Sequence, residues 1–158
     1  MDMDLAKSVM DNDIRWPVYL HGAPGCGKSA LAGLLFMHVQ RRPMWINAVD
    51  GFKAVVMSAV DPRPLWGYGQ PFVEWEHWDE LRKRSFVVLD DIGLRGKASD
   101  AQYDALQKFL LMRQDAPTVL TSNHSLENLA AIYDDRTASR VADGTIVAVN
   151  GKDRRVER

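Results

Sequence analysis

Residues 22 to 29 read Gly-Ala-Pro-Gly-Cys-Gly-Lys-Ser, a spacing of glycines, lysine and hydroxyl that suits a triphosphate. Gly22, Gly25 and Gly27 let consecutive backbone N–H groups turn inward around an anion. Lys28 then supplies a positive charge for the β and γ phosphates, and Ser29 a hydroxyl for Mg²⁺. The binding segment runs through Gly22, Ala23, Pro24, Gly25, Cys26, Gly27, Lys28, Ser29 and Ala30. Cys26 lies inside the loop and is read as a small side chain beside phosphate; a redox or nucleophilic role is the minority reading.

A second cluster lies at Asp90 and Asp91, which end the apolar run Ser85 to Asp91 (SFVVLDD). A carboxylate at such a strand end holds Mg²⁺ in phosphate-loop ATPases, and Asp90 suits that role by position. Asp91 is placed to orient or deprotonate an attacking water. Alone, this pair would be a solvated strand end; with a phosphate loop upstream, the chemical reading prevails. Asn123 directly follows Thr118 to Ser122 (TVLTS), where its amide could hold a water near the γ-phosphate. The ordinary reading of Asn123 is a turn residue. Arg136 and Arg140 fall at i and i+4 on one helical face, and Arg155 lies beyond the last strand. Each arginine taken singly reads as a surface ion pair. One reaching a neighbouring copy's γ-phosphate would stabilise transition-state charge.

These residues need a sheet edge to bring them together. Trp16 to His21 reads as a strand before the loop, and a helix runs from about Ser29 to Arg41 with Leu31, Leu34, Leu35 and His38 on one face. Met44 to Ala48 reads as a strand, Phe52 to Ala59 as a helix, Asp61 to Pro71 as a loop, and Trp75 to Arg84 as a charged helix. The unbroken apolar run into Asp90 predicts a strand buried on both faces. Ser99 suits the N-cap of a helix to about Arg113, with Tyr103, Leu106 and Leu110 inward. Thr118 to Ser122, helices over Leu126 to Ile132 and Arg136 to Ala142, and a last strand over Thr145 to Val149 complete the order. Strands alternating with helices predict a parallel sheet covered on both faces. The chemical residues then gather at its carboxyl edge.

The 158 residues suit one α/β domain over 16–158 after a short tail, 1–15. A net charge of −1 argues against a surface coated in basic residues, so any DNA contact would come from a local patch or from several copies. The single cysteine excludes an internal disulfide and fits a reducing compartment, hence the cytoplasm. No apolar stretch reaches membrane-spanning length, so no membrane partner is expected. His21, His38, His77 and His124 lack metal-ligand spacing.

Together, YLHGAPGCGKS (19–29), SFVVLDDIG (85–93), LLMRQDAPTVLTSNHSLENL (110–129) and DDRTASRVADGTIVAVNGKDRR (134–155) resemble an AAA+ ATPase. More narrowly, they resemble the helicase-loader group typified by DnaC and DnaI, with the IstB transposition ATPases as close relatives. The resemblance covers about residues 16 to 155. It implies a P-loop NTPase fold of three α/β/α layers, with five parallel strands ordered 5-1-4-3-2. It also implies ATP/ADP and Mg²⁺ as ligands: Ser29 and Asp90 on the metal, Asp91 activating water, Asn123 as polar sensor. Arg140, ahead of Arg136, resembles the arginine acting in trans on an adjacent subunit. Arg155, ahead of Arg154, resembles a second sensor.

The implied activity is ATP hydrolysis in DNA replication, slow and stimulated by assembly or DNA. The implied partners are a nucleotide-dependent homo-oligomer, a replicative helicase and single-stranded DNA. Two departures matter. Such loaders carry an N-terminal domain that grips the helicase, whereas here only the short tail precedes the first strand. Asp91 also stands where many AAA+ proteins have glutamate, which predicts slow turnover. Arg63, Trp66, Phe72, Trp75 and Trp78 would make a stacking surface for single-stranded DNA or cover the core. Three competing functions share the same loop: an IstB-like transposition helper, a nucleotide switch with little hydrolysis, and a small-molecule kinase, which the Thr-Ser-Asn strand tip disfavours.

Overall fold

A computed structural model of the chain describes residues 7–8, 11, 13–38, 43–47, 56–58, 74–93, 97–98 and 100–151. Its strands are β1 (Val18–His21), β2 (Met44–Asn47), β3 (Val56–Ser58), β4 (Val87–Ile92), β5 (Thr118–Ser122) and β6 (Thr145–Ala148). Its helices are α1 (Lys28–His38), α2 (Glu74–Lys83), α3 (Asp100–Met112), α4 (Leu126–Ile132) and α5 (Asp135–Ala142). They form one sheet ordered β3-β2-β4-β5-β1-β6. Five strands are parallel and stand in the expected order. The sixth is a correction: residues 56–58, expected within a helix over 52–59, pair antiparallel with β2 at the sheet edge, Ile46 opposite Val56.

Period-two alternation divides the core between the two faces. Val18, Leu20, Val88 and Val119 point to one side, where they pack with Ala32, Leu35 and Phe36 of α1. Tyr19, Ile46, Val87, Leu89 and Leu120 point to the other, against Leu81 of α2, Leu106 and Phe109 of α3, Leu129 of α4 and Val141 of α5. Helices on both faces of a parallel sheet give the three expected layers. The buried face of α1 is turned from the expected one. Ala32, Leu35 and Phe36 are buried, whereas Leu34 is 40% exposed and His38 lies outside the core. The small Ala32 lets the helix approach the sheet where a leucine would hold it off.

Arg113 locks two turns at the amino end of the sheet. Its guanidinium donates to the carbonyl oxygens of Leu81 (3.1 Å), Arg84 (2.7 Å) and Pro117 (2.6 Å) and to Thr118 Oγ1 (3.2 Å). Burial pulls its pKa down to about 10, so it remains a cation at neutral pH. Among the described residues no helix is long and apolar enough to cross a membrane. The expected cap Ser99, the end of the first helix beyond His38, and Arg63, Trp66, Phe72, Arg154 and Arg155 lie outside the described residues.

Candidate nucleotide site

The loop after β1 is held open by its backbone. Gly22 has a φ of 157°, and a Cβ there would stand 2.3 Å from the carbonyl oxygen of Val149, so no larger residue fits. Gly27, at φ 101°, adopts the left-handed region that glycine enters without steric cost. α1 begins at Lys28, so unpaired N–H groups of its first turn and the positive end of its dipole face the loop. The Lys28 ammonium donates to the carbonyl oxygens of Gly22 and Ala23, both at 2.9 Å, and lies 3.7 Å from Cys26 Sγ. Only 5% exposed, it places a positive charge at the centre of the cradle. Ala23, Pro24 and Ala30 are on the exposed side of this segment.

β4 brings the acids to the same rim. Ser29 Oγ donates to Asp90 Oδ1 at 2.9 Å, joining loop and strand end across the sheet. Asp90 is 7% exposed, and the same Oδ1 accepts from Thr121 Oγ1 at 2.5 Å. Asp91 follows with a φ of 63°, a left-handed conformation that aspartate tolerates better than most residues. Its amide donates to Thr121 Oγ1 at 2.9 Å. Asn123 follows β5, whose Ser122 is opposite His21 of β1 in register, so it stands beside the entrance to the phosphate loop. Tyr19 Oη donates to the carbonyl oxygen of His124 at 2.7 Å, pinning the turn that carries Asn123. Burial pushes the Tyr19 phenol up to about 12, which keeps that donor protonated.

Lys28, Ser29, Asp90, Asp91 and Asn123 are thus brought together at the carboxyl ends of β1, β4 and β5. Gly151 abuts the same loop, since a Cβ there would lie 2.5 Å from the carbonyl oxygen of Cys26. Arg140 is elsewhere. It lines a groove of about 730 Å³ with Arg15, Trp16, Pro17, Arg113 and Asp143, at the amino ends of β1 and β6, across the sheet from the loop. Arg136, on the same helix, is exposed. Trp78 is a core residue, 9% exposed, with Lys108 Nζ 4.4 Å from its ring centroid, so it presents no face to DNA.

The sequence reading missed Thr121 and Ser122. Both are fully buried, where a hydroxyl must find a partner. Ser122 Oγ donates to the carbonyl oxygen of Ile92 at 2.8 Å and accepts from the His124 amide at 3.1 Å. The available signal was two hydroxyls at the carboxyl end of an otherwise apolar strand.

A protein-family model described as RNA helicase matches residues 18–134. Among solved structures, DnaI is similar at 20% identity and a TM-score of 0.68, over 96% of this chain and 81% of that one. The DnaC helicase loader is similar at 18% identity and a TM-score of 0.68, over 94% of this chain and 87% of that one. The replication initiator DnaA bound to AMPPCP and single-stranded DNA is similar at 16% identity and a TM-score of 0.69, over 94% of this chain but 45% of that one. The chain therefore spans less than half of DnaA. No curated protein matches the sequence. The fold is that of the DnaC- and DnaA-like AAA+ group, as the sequence motifs implied.

Proposed function

Because this chain belongs to the family described as RNA helicase and has an AAA+ fold, we propose that it is a cytoplasmic Mg-ATP-binding ATPase. In this reading it serves DNA replication as a helicase loader or loader-like factor of a bacterium or phage. The observation that carries the nucleotide site is the 2.9 Å contact between Ser29 Oγ and Asp90 Oδ1. It joins a phosphate-loop hydroxyl to a buried carboxylate, a pair of hard oxygen donors that suits Mg²⁺ together with phosphate and water. Bound there, the metal would neutralise charge on the β and γ phosphates.

The protein's own groups divide the remaining work. Backbone N–H groups within Gly25 to Ala30 and the Lys28 ammonium hold the phosphates in place. Asp91 orients the attacking water and takes its proton, and Asn123 fixes that water beside the γ-phosphate. Arg140 serves a neighbouring copy, a role supported by its place at the opposite end of the sheet from its own loop. Arg155 completes the adenine-nucleotide contacts from the segment after Gly151, which itself lies against the loop.

A fluorescent ATP analogue titrated into parent and Lys28→Ala tests the site. Parent binding and a loss of at least about tenfold in the variant are expected, since a charged hydrogen-bonding group contributes about 1.5–3 kcal/mol. Equal binding by the two would remove the phosphate site. Single-stranded DNA that raises turnover supports the loader reading, which the DnaA complex with single-stranded DNA favours. The family description favours a second reading, action on RNA, and stimulation by RNA alone would select it. An IstB-like helper would respond to duplex DNA, and a nucleotide switch would retain ADP with little turnover.

A further inference from the structure

We propose that Thr121 is a positioning residue for both acids of the nucleotide site, setting the Asp90 carboxylate for the metal and the Asp91 backbone for water activation. The inference rests on the nucleotide-site reading above. Leu89 pairs with Leu120 and Ile92 with Ser122, with a register shift between them. Two residues of β4, Asp90 and Asp91, therefore face the single residue Thr121 of β5, a bulge of the kind that re-aims side chains beside active sites. At a bulge the backbone ladder is interrupted. Here the Thr121 hydroxyl takes its place.

That hydroxyl has one proton and two lone pairs. The proton goes to Asp90 Oδ1 at 2.5 Å, and a lone pair accepts the Asp91 amide at 2.9 Å. One oxygen thus fixes the rotamer of the first acid and the left-handed backbone of the second. The other donor to Asp90 Oδ1, Ser29, is exposed in the first turn of α1, where the metal and the phosphates would compete for it. Thr121 is fully buried, so its hold on the carboxylate persists when Ser29 turns to other partners. Outer-shell groups of this kind change metal affinity or activity about 10–100-fold when removed.

The test uses the full chain with Thr121→Val, which keeps the branched shape without the hydroxyl, and Thr121→Ser, which keeps the hydroxyl. Affinity for a fluorescent ATP analogue is measured over a Mg²⁺ titration and in EDTA, beside kcat, KM and thermal midpoint. In Thr121→Val the Mg²⁺ midpoint rises about tenfold or more and kcat falls, while the metal-free affinity stays at the parent's. Thr121→Ser restores the parental Mg²⁺ midpoint. If the valine chain does not fold, Thr121→Cys, similar in size with a weak S–H donor, carries the same expectation.

A parental Mg²⁺ midpoint in the valine or cysteine chain overturns the proposal. So does a serine chain as impaired as valine, or a metal-free affinity that falls as far as the metal-bound one. A parent protein that binds no Mg-nucleotide overturns the nucleotide site itself, and this role with it. A binding parent with an indifferent valine variant removes the Thr121 role alone.

Discussion

At Asp91 the backbone adopts a φ of 63°, a region that β-branched and bulky residues avoid and that Asn and Asp enter more readily. Asp91→Asn therefore removes the carboxylate while leaving the backbone conformation accessible. If Asp91 takes the proton of the attacking water, kcat falls about 100-fold or more with the thermal midpoint near the parent's. Turnover unchanged in Asp91→Asn would take this residue out of the mechanism. Sequence and structure part at Thr121. Lys28, Ser29, Asp90 and Asn123 were legible because each lies near or just beyond the carboxyl end of a strand at a fixed local offset, and parallel strands carry their ends to one rim. Thr121 was not legible, because its role depends on a bulge in β4 created by pairing with β5. Pairing of this kind joins residues distant in sequence.

Among the elements, α5 is fixed by its first residues more than by its own propensity. Asp134 caps it: Oδ1 accepts from the amide and hydroxyl of Thr137 at 2.7 and 2.6 Å, and Oδ2 accepts from Tyr103 Oη at 2.7 Å, which ties the cap to α3. The Thr137 and Tyr103 bonds hold the Asp134 carboxyl below its ordinary 3.8. A lowered folded-state pKa contributes stability that is complete above 3.8 and is lost as pH falls through the folded value. Asp134→Ala should thus lower stability by about 1 kcal/mol near neutrality. It should also decline less steeply than the parent below about pH 4, both read from urea midpoints across pH. A parental midpoint and acid limb would show that the cap is dispensable. The sequence places this helix over Arg136 to Ala142; in the structure it begins at Asp135, with Asp134 as its cap. The segment around residues 56–58 was harder to read, since Val55 and Val56 fit a helical stripe and a short strand alike. Its antiparallel pairing with β2 settles the described part, a contact that local sequence does not contain.

For the whole molecule, the sheet separates two sets of charged groups. Lys28, Asp90 and Asp91 stand at the carboxyl ends of its parallel strands, while Arg140 lies beside Pro17 and Asp143 at the amino ends. β1 alone, at about 3.3 Å per residue, separates the two rims by more than an arginine side chain spans. In our reading one copy therefore cannot complete its own site, and activity requires a second copy that presents its amino rim to the first copy's loop. This makes a complementation experiment decisive. Lys28→Ala lacks the phosphate cation but keeps Arg140; Arg140→Ala keeps the loop but lacks the arginine. Each variant alone should hydrolyse ATP poorly, since an arginine supplied in trans is worth about 10³-fold or more. Mixed, they form contacts in which an intact loop of Arg140→Ala meets an intact arginine of Lys28→Ala. Turnover of the mixture should then exceed the sum of the separate proteins and rise with total concentration. A strictly additive mixture, with Arg140→Ala as active as the parent, would return Arg140 to the role of a surface ion-pairing residue and leave each copy to work alone.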